Sequence, residues 1–145
     1  MTSLLVLDTN IVLDLFVFAD ERVRPLKALL ELGEVQWIAT AAMRGELERV
    51  LAYPHIVSKL AFYGLAAEGV LGAFDRHAQL VAVGGPAPVT CRDRDDQKFI
   101  DLAHDHRCTL LSKDAAVLTL GRRLAQLGVT VAAALAAPSY RLRDS

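Results

Sequence analysis

Cysteine is scarce: 145 residues contain only Cys91 and Cys108, and neither belongs to a CxxC or a Cys/His ligand spacing. That excludes a disulfide scaffold and a thiolate metal site, and leaves two reduced thiols at core or near-core positions. Charge of one sign is missing too. Sixteen Lys and Arg face 17 Asp and Glu, for a formal net charge of −1. A protein that coats nucleic acid by bulk charge is thereby excluded, though a local basic rim around an acidic site is not. The chain does not open with the basic segment, apolar run and small-residue site of a signal peptide, and no apolar stretch is long enough to span a bilayer. The expectation is a cytoplasmic protein with no membrane partner. Internal repeats and low-complexity linkers are also lacking.

What is present is apolar sequence in short, regularly interrupted pieces. Hydrophobic residues make up 53% of the chain, enough for one sizeable core. The expected organisation is a single domain over residues 1–138 and a frayed tail over 139–145. Leu4 to Leu7 read as a buried strand, and Asn10 to Phe18 as a helix apolar all round. Glu21 to Leu32 have helical spacing, with Gly33 as C-cap. "QWIA", "QLVAV", "CTLLS" and "VTVAA" supply further strands. Thr40 caps a helix that Pro54 stops, residues 55–77 form two helical pieces broken near Gly64, and Asp93 opens another helix. Strands alternating with helices predict a three-layer α/β/α sandwich around a mainly parallel sheet.

In such a sheet, ligands bind beyond the carboxyl ends of the strands. Asp8 stands at one such end and Asp114 three residues past Leu111, near another; Glu46 and Asp96 lie early in helices. Carboxylates gathered there repel one another unless a cation is present. Mg²⁺ or Mn²⁺, one ion or two, suits an all-oxygen set, and the chemistry that follows is phosphodiester hydrolysis. Thr9 and Asn10 would orient a carboxylate or a water. Each acid also has a plain structural reading: Asp8, Asp93 and Asp114 as N-caps, Asp95 and Asp96 as first-turn acids, Glu46 as a solvated helix residue. The set carries more weight than any member, because all fall near one edge.

These residues resemble the PIN-domain nucleases, and among them the PIN-family toxin components of bacterial toxin–antitoxin systems. The resemblance rests on "LLVLDTNIVLD", "GELERVLAYPHI", "CRDRDDQKFIDLA" and "CTLLSKDAAVL", in order over residues 4–118. It implies a compact α/β/α fold and metal-dependent cleavage of RNA without a nucleophilic side chain. The acidic set it implies is Asp8, Glu46, Asp96 and Asp114, with Asp93 as a further acid and Asn10 and Ser112 as small polar neighbours. Dimers or higher oligomers and an antitoxin partner are implied as well. One departure stands out. Many relatives carry another acid two residues after the fourth, in a "GDxD" run; here Lys113 replaces the glycine and Ala116 the acid, which puts a second metal in question.

Arg92, Arg94, Lys98 and Lys113 flank the acids, either as contacts for RNA phosphates or as ion-pair partners. His104, Asp105 and His106 read as a helix end meeting its dipole rather than a metal site, and Arg122 and Arg123 as a solvated face. Tyr53, Phe62 and Tyr63 are expected in core or partner contacts rather than stacked on bases. Two other classes remain: a catalytically weak PIN-like module that binds RNA or protein, and an Asp-nucleophile phosphoryl-transfer protein. The latter lacks its "DxD" or receiver-type acidic pair.

Overall fold

The structure, a computed structural model, describes residues 3–135. Five strands form one parallel sheet: β1 (Ser3–Leu7), β2 (Val35–Ala39), β3 (Ala78–Leu80), β4 (Thr109–Leu111) and β5 (Thr130–Ala132). They lie in the order β3-β2-β1-β4-β5. Leu5, Val6 and Leu7 are all buried, as are Leu110 and Leu111, because a parallel sheet is covered on both faces and its central strands need apolar residues at successive positions. Growth in one direction (β1 to β3) and then the other (β4, β5) makes β1 and β4 neighbours, paired Leu7 to Leu111. The strand order reverses between them.

Among the described residues eight α-helices flank the sheet: α1 (Thr9–Leu13), α2 (Arg24–Glu31), α3 (Ala41–Leu51), α4 (Pro54–Tyr63), α5 (Ala67–His77), α6 (Gln97–His106), α7 (Ala115–Leu118) and α8 (Gly121–Gln126). Right-handed crossovers put α1 to α5 over one face and α6 to α8 over the other. The contacts agree: α3 packs on α1, α4 and α5, while α6 packs on β1 and β4. Trp37 anchors the first layer, 1% exposed and edge-on to Phe74 with ring centroids 4.9 Å apart. The expected α/β/α sandwich is the observed one.

Local details refine the sequence reading. The helix begun at Thr9 widens to a π turn over Asp14–Phe18 and ends at Ala19 in the left-handed region, φ 49°. Pro54 does not merely stop α3; it is the first residue of α4, where its missing N–H costs nothing. Gly64, φ 68°, closes α4 as expected. The third strand is shorter and earlier than "QLVAV", covering Ala78–Leu80, because its partner β2 ends at Ala39. The proposed boundary at residue 138 and the tail lie outside the described residues.

Candidate metal centre

The reversal between β1 and β4 brings the acids together. Asp8 directly follows β1 and caps α1, its carboxylate accepting from the Asn10 backbone N–H at 3.4 Å. Its own N–H donates to the Leu111 carbonyl, extending the ladder and fixing the residue against β4. Ser112, fully buried one residue past β4, donates its hydroxyl to Asp8 Oδ2 at 2.7 Å and accepts from the Asp114 N–H at 3.1 Å. One small side chain thus ties the two strand ends. Asp114 in turn caps α7, accepting from the Ala116 N–H at 2.9 Å.

From the second layer come Asp93 and Asp96, and from α3 in the first comes Glu46. Asp93 caps a short 3₁₀ turn (Arg94–Asp96) by accepting from the Asp95 N–H at 3.0 Å, and the turn delivers Asp96 inward, 6% exposed. Asp93, Asp96 and Asp114 each offer an oxygen within 4.8 Å of the others. Glu46, near the middle of α3, accepts from the Thr9 hydroxyl and pairs with Lys98. All five acids line one cleft of about 320 Å³, with Thr9 and Asn10 beside them.

Electrostatics separates the members. Burial pushes the Asp8 carboxyl above its usual range, against the lowering effect of its bonds from Ser112 and Asn10. Asp96 is pushed up to about 8, by burial first and then by its side-chain hydrogen bond with Asp114 and the charges of Asp8, Asp114 and Asp93. Asp114 is held below its ordinary value, chiefly by that same bond with Asp96. Asp96 and Asp114 therefore share a proton, as crowded carboxyls must when no cation balances them. Asp96 Oδ2 is buried with no hydrogen-bond partner, which is costly unless a cation or a proton satisfies it. The donor set is all oxygen. Hard divalent cations fit it; soft ones do not.

The acids are where the sequence placed them, and several structural readings hold at the same time as the clustering. Asp8, Asp93 and Asp114 are caps and cluster members at once. Glu46 is not a solvated helix residue, since both its oxygens are engaged across elements. Of the basic residues, Lys98 is paired with Glu46 and donates to the Asp95 carbonyl at 2.6 Å, while Lys113 pairs with Asp14 at 2.6 Å. The ion-pair alternative describes these two. Arg92 and Arg94 are exposed, and the charge of Arg92 helps lower Asp114. Tyr53, Phe62 and Tyr63 are not core residues; they are 49%, 79% and 45% exposed. Ala116 is buried and offers no ligand.

The PIN-domain family model matches residues 4–116, a span that contains Asp8, Glu46, Asp93, Asp96 and Asp114. The chain belongs to the PIN-domain family. A search of curated proteins finds no match. Membership gives this PIN domain a nuclease-type function, and its acidic cluster is one that could bind metal. Among its described residues, no single helix is long and apolar enough to cross a membrane.

Sequence reasoning missed three parts of the cleft. Arg49 and Val50 line it beside Glu46, as does Tyr53. The signal was available: residues 46, 49, 50 and 53 recur at helical spacing and share a face. Asp14, outside the cleft lining, is buried at 5% and holds Lys113 beside Asp114.

Proposed function

We propose that this PIN domain is an Mg²⁺- or Mn²⁺-dependent endoribonuclease, the toxin of a toxin–antitoxin pair acting in the cytoplasm. Asp96 carries the reading: a buried carboxylate with one oxygen unsatisfied, facing Asp114 and Asp93, is a site built for a cation. Asp8, Asp96 and Asp114 would hold the ion, Asp93 would support it, and Glu46 completes the acidic set. When bound, the ion activates water and offsets the charge that builds on the phosphorus oxygens. Ser112 and Asn10 hold Asp8 in place, and Thr9 orients Glu46. Arg92 and Arg94 stand at the rim as phosphate contacts. Exposed Val57, Phe62, Tyr63 and Leu65, on and just after α4, support a surface facing a second copy or an antitoxin.

The test is single-turnover cleavage of labelled RNA and DNA by the purified protein with Mn²⁺, Mg²⁺ or EDTA, beside Asp8→Asn and Asp96→Asn. RNA cleavage that needs the ion and both carboxylates is the expected result. Cleavage that survives both substitutions overturns the carboxylate mechanism. No cleavage of any substrate by the wild type favours the alternative, a binding module weakened at Ala116.

A further inference from the structure

One wall of the cleft carries a cation and an aromatic ring beside its acid, Glu46. It is the α3 face carrying Arg49 and Val50, continued by Tyr53 in the link to α4. Tyr53 is half exposed, yet its backbone is fixed on both sides. Its N–H donates to the Val50 carbonyl at 3.0 Å, and its own carbonyl accepts from Ile56 and Val57 at 2.9 and 2.8 Å. The ring is therefore presented from a rigid helix junction, 6.2 Å from the His55 ring. Arg49 is the one cation among the described residues that line the cleft. It joins none of the ion pairs that hold Arg22, Arg44, Lys98 and Lys113. Its Nη1 lies 3.5 Å from where a Cβ would stand on Gly45, so the guanidinium folds back one turn, toward the end of α3 that meets the strand edge.

We infer that Tyr53 and Arg49 form a nucleotide subsite beside the acidic centre, Tyr53 stacking an unpaired base and Arg49 holding an adjacent phosphate. The inference rests on the nuclease reading above and adds two residues outside the acidic set that would position the strand. A free aromatic face can take a base only when that base has left its own stack, and paired bases in an A-form duplex have not. A fixed ring keeps the ordering cost of that contact low. Arg49 supplies the positive charge that a polyanion needs to approach a cleft of six carboxylates.

The experiment measures binding of a fluorescent single-stranded ribo-octamer and its duplex by anisotropy, with Ca²⁺ supplied as a hard cation for the acids. Tyr53→Ala should weaken single-strand binding on the order of tenfold, Tyr53→Phe should retain it, and neither should change duplex binding. Arg49→Gln should weaken single-strand binding and flatten its salt dependence. Equal binding by wild type and Tyr53→Ala, or an equal loss on duplex and single strand, overturns the subsite. Those outcomes leave metal-dependent cleavage standing. Absent cleavage with the Tyr53 effect intact would instead remove the nuclease reading and leave the subsite.

Discussion

The two halves of the acidic centre are built differently. On the β1 side, Asp8 and Glu46 are met by protein groups: Ser112, the Asn10 N–H, Thr9 and Lys98. On the α6 side, Asp93 and Asp114 each accept a helix-cap N–H and otherwise crowd Asp96, whose Oδ2 has no hydrogen-bond partner. The first half is finished by the fold alone. The second is left with a charge problem that only protons or a cation resolve. The difference locates the demand for metal on the α6 side and gives the β1 side the task of holding its carboxylates still.

The largest expected effect breaks the unfinished half. Asp96→Asn should lower single-turnover cleavage by at least about a hundredfold, and should remove the rise in melting temperature that Mn²⁺ gives the wild type, on the order of 5 °C. Scanning calorimetry with and without Mn²⁺ checks the second point. An unchanged Mn²⁺ response in Asp96→Asn would place the ion elsewhere.

Next comes Lys113→Met, which strands buried Asp14 without its partner. Lys113 is partly exposed, so solvent takes up some of the cost, and a loss of about 2 kcal/mol is expected in urea unfolding. The double variant with Asp14→Leu should recover most of it.

Glu46→Gln disturbs the finished half. Because Thr9 still holds the side chain while the Lys98 pairing weakens, cleavage should fall about tenfold, the scale of a supporting residue. A loss as large as that of Asp96→Asn would erase the asymmetry between the halves.

The mildest probe is pH. Asp96 keeps its proton in the fold up to about 8, whereas in the unfolded chain it loses it near its ordinary value of 3.8. Its contribution to stability is therefore full below about pH 4 and is lost as pH rises toward and through 8. Asp114, lowered in the fold, contributes oppositely, with stability lost only as pH falls below the ordinary carboxylate range. Melting in EDTA from pH 5 to 9 should show a downward drift that Asp96→Asn removes. Mn²⁺ should reduce the drift by taking the place of the proton.

Much of this was legible in the sequence, for identifiable reasons. Asp8 and Asp114 follow strands, and parallel strands end at one edge, so their convergence needed only the strand assignments. Glu46 was found as a member of the set, but its engagement with Thr9 and Lys98 crosses 37 and 52 positions and leaves no local trace. The end of β3 was misplaced for a similar reason. "VAV" after Leu80 looks like strand, but a ladder stops where its partner stops, and β2 stops at Ala39. The sequence left Tyr53 between core and partner contact because aromatic composition says nothing about which side of a helix junction faces out.

The tie between Ser112 and Asp8 joins positions 104 residues apart. A growing chain makes Asp8 well before Ser112 and cannot close the centre until β4 and Asp114 have been synthesised and laid against β1. Until then the edge of β1 that takes β4 is bare, and the acids of the two layers are unassembled. The acidic centre is in this way kept incomplete until β4 is laid down, by nothing more than the order in which the strands occur.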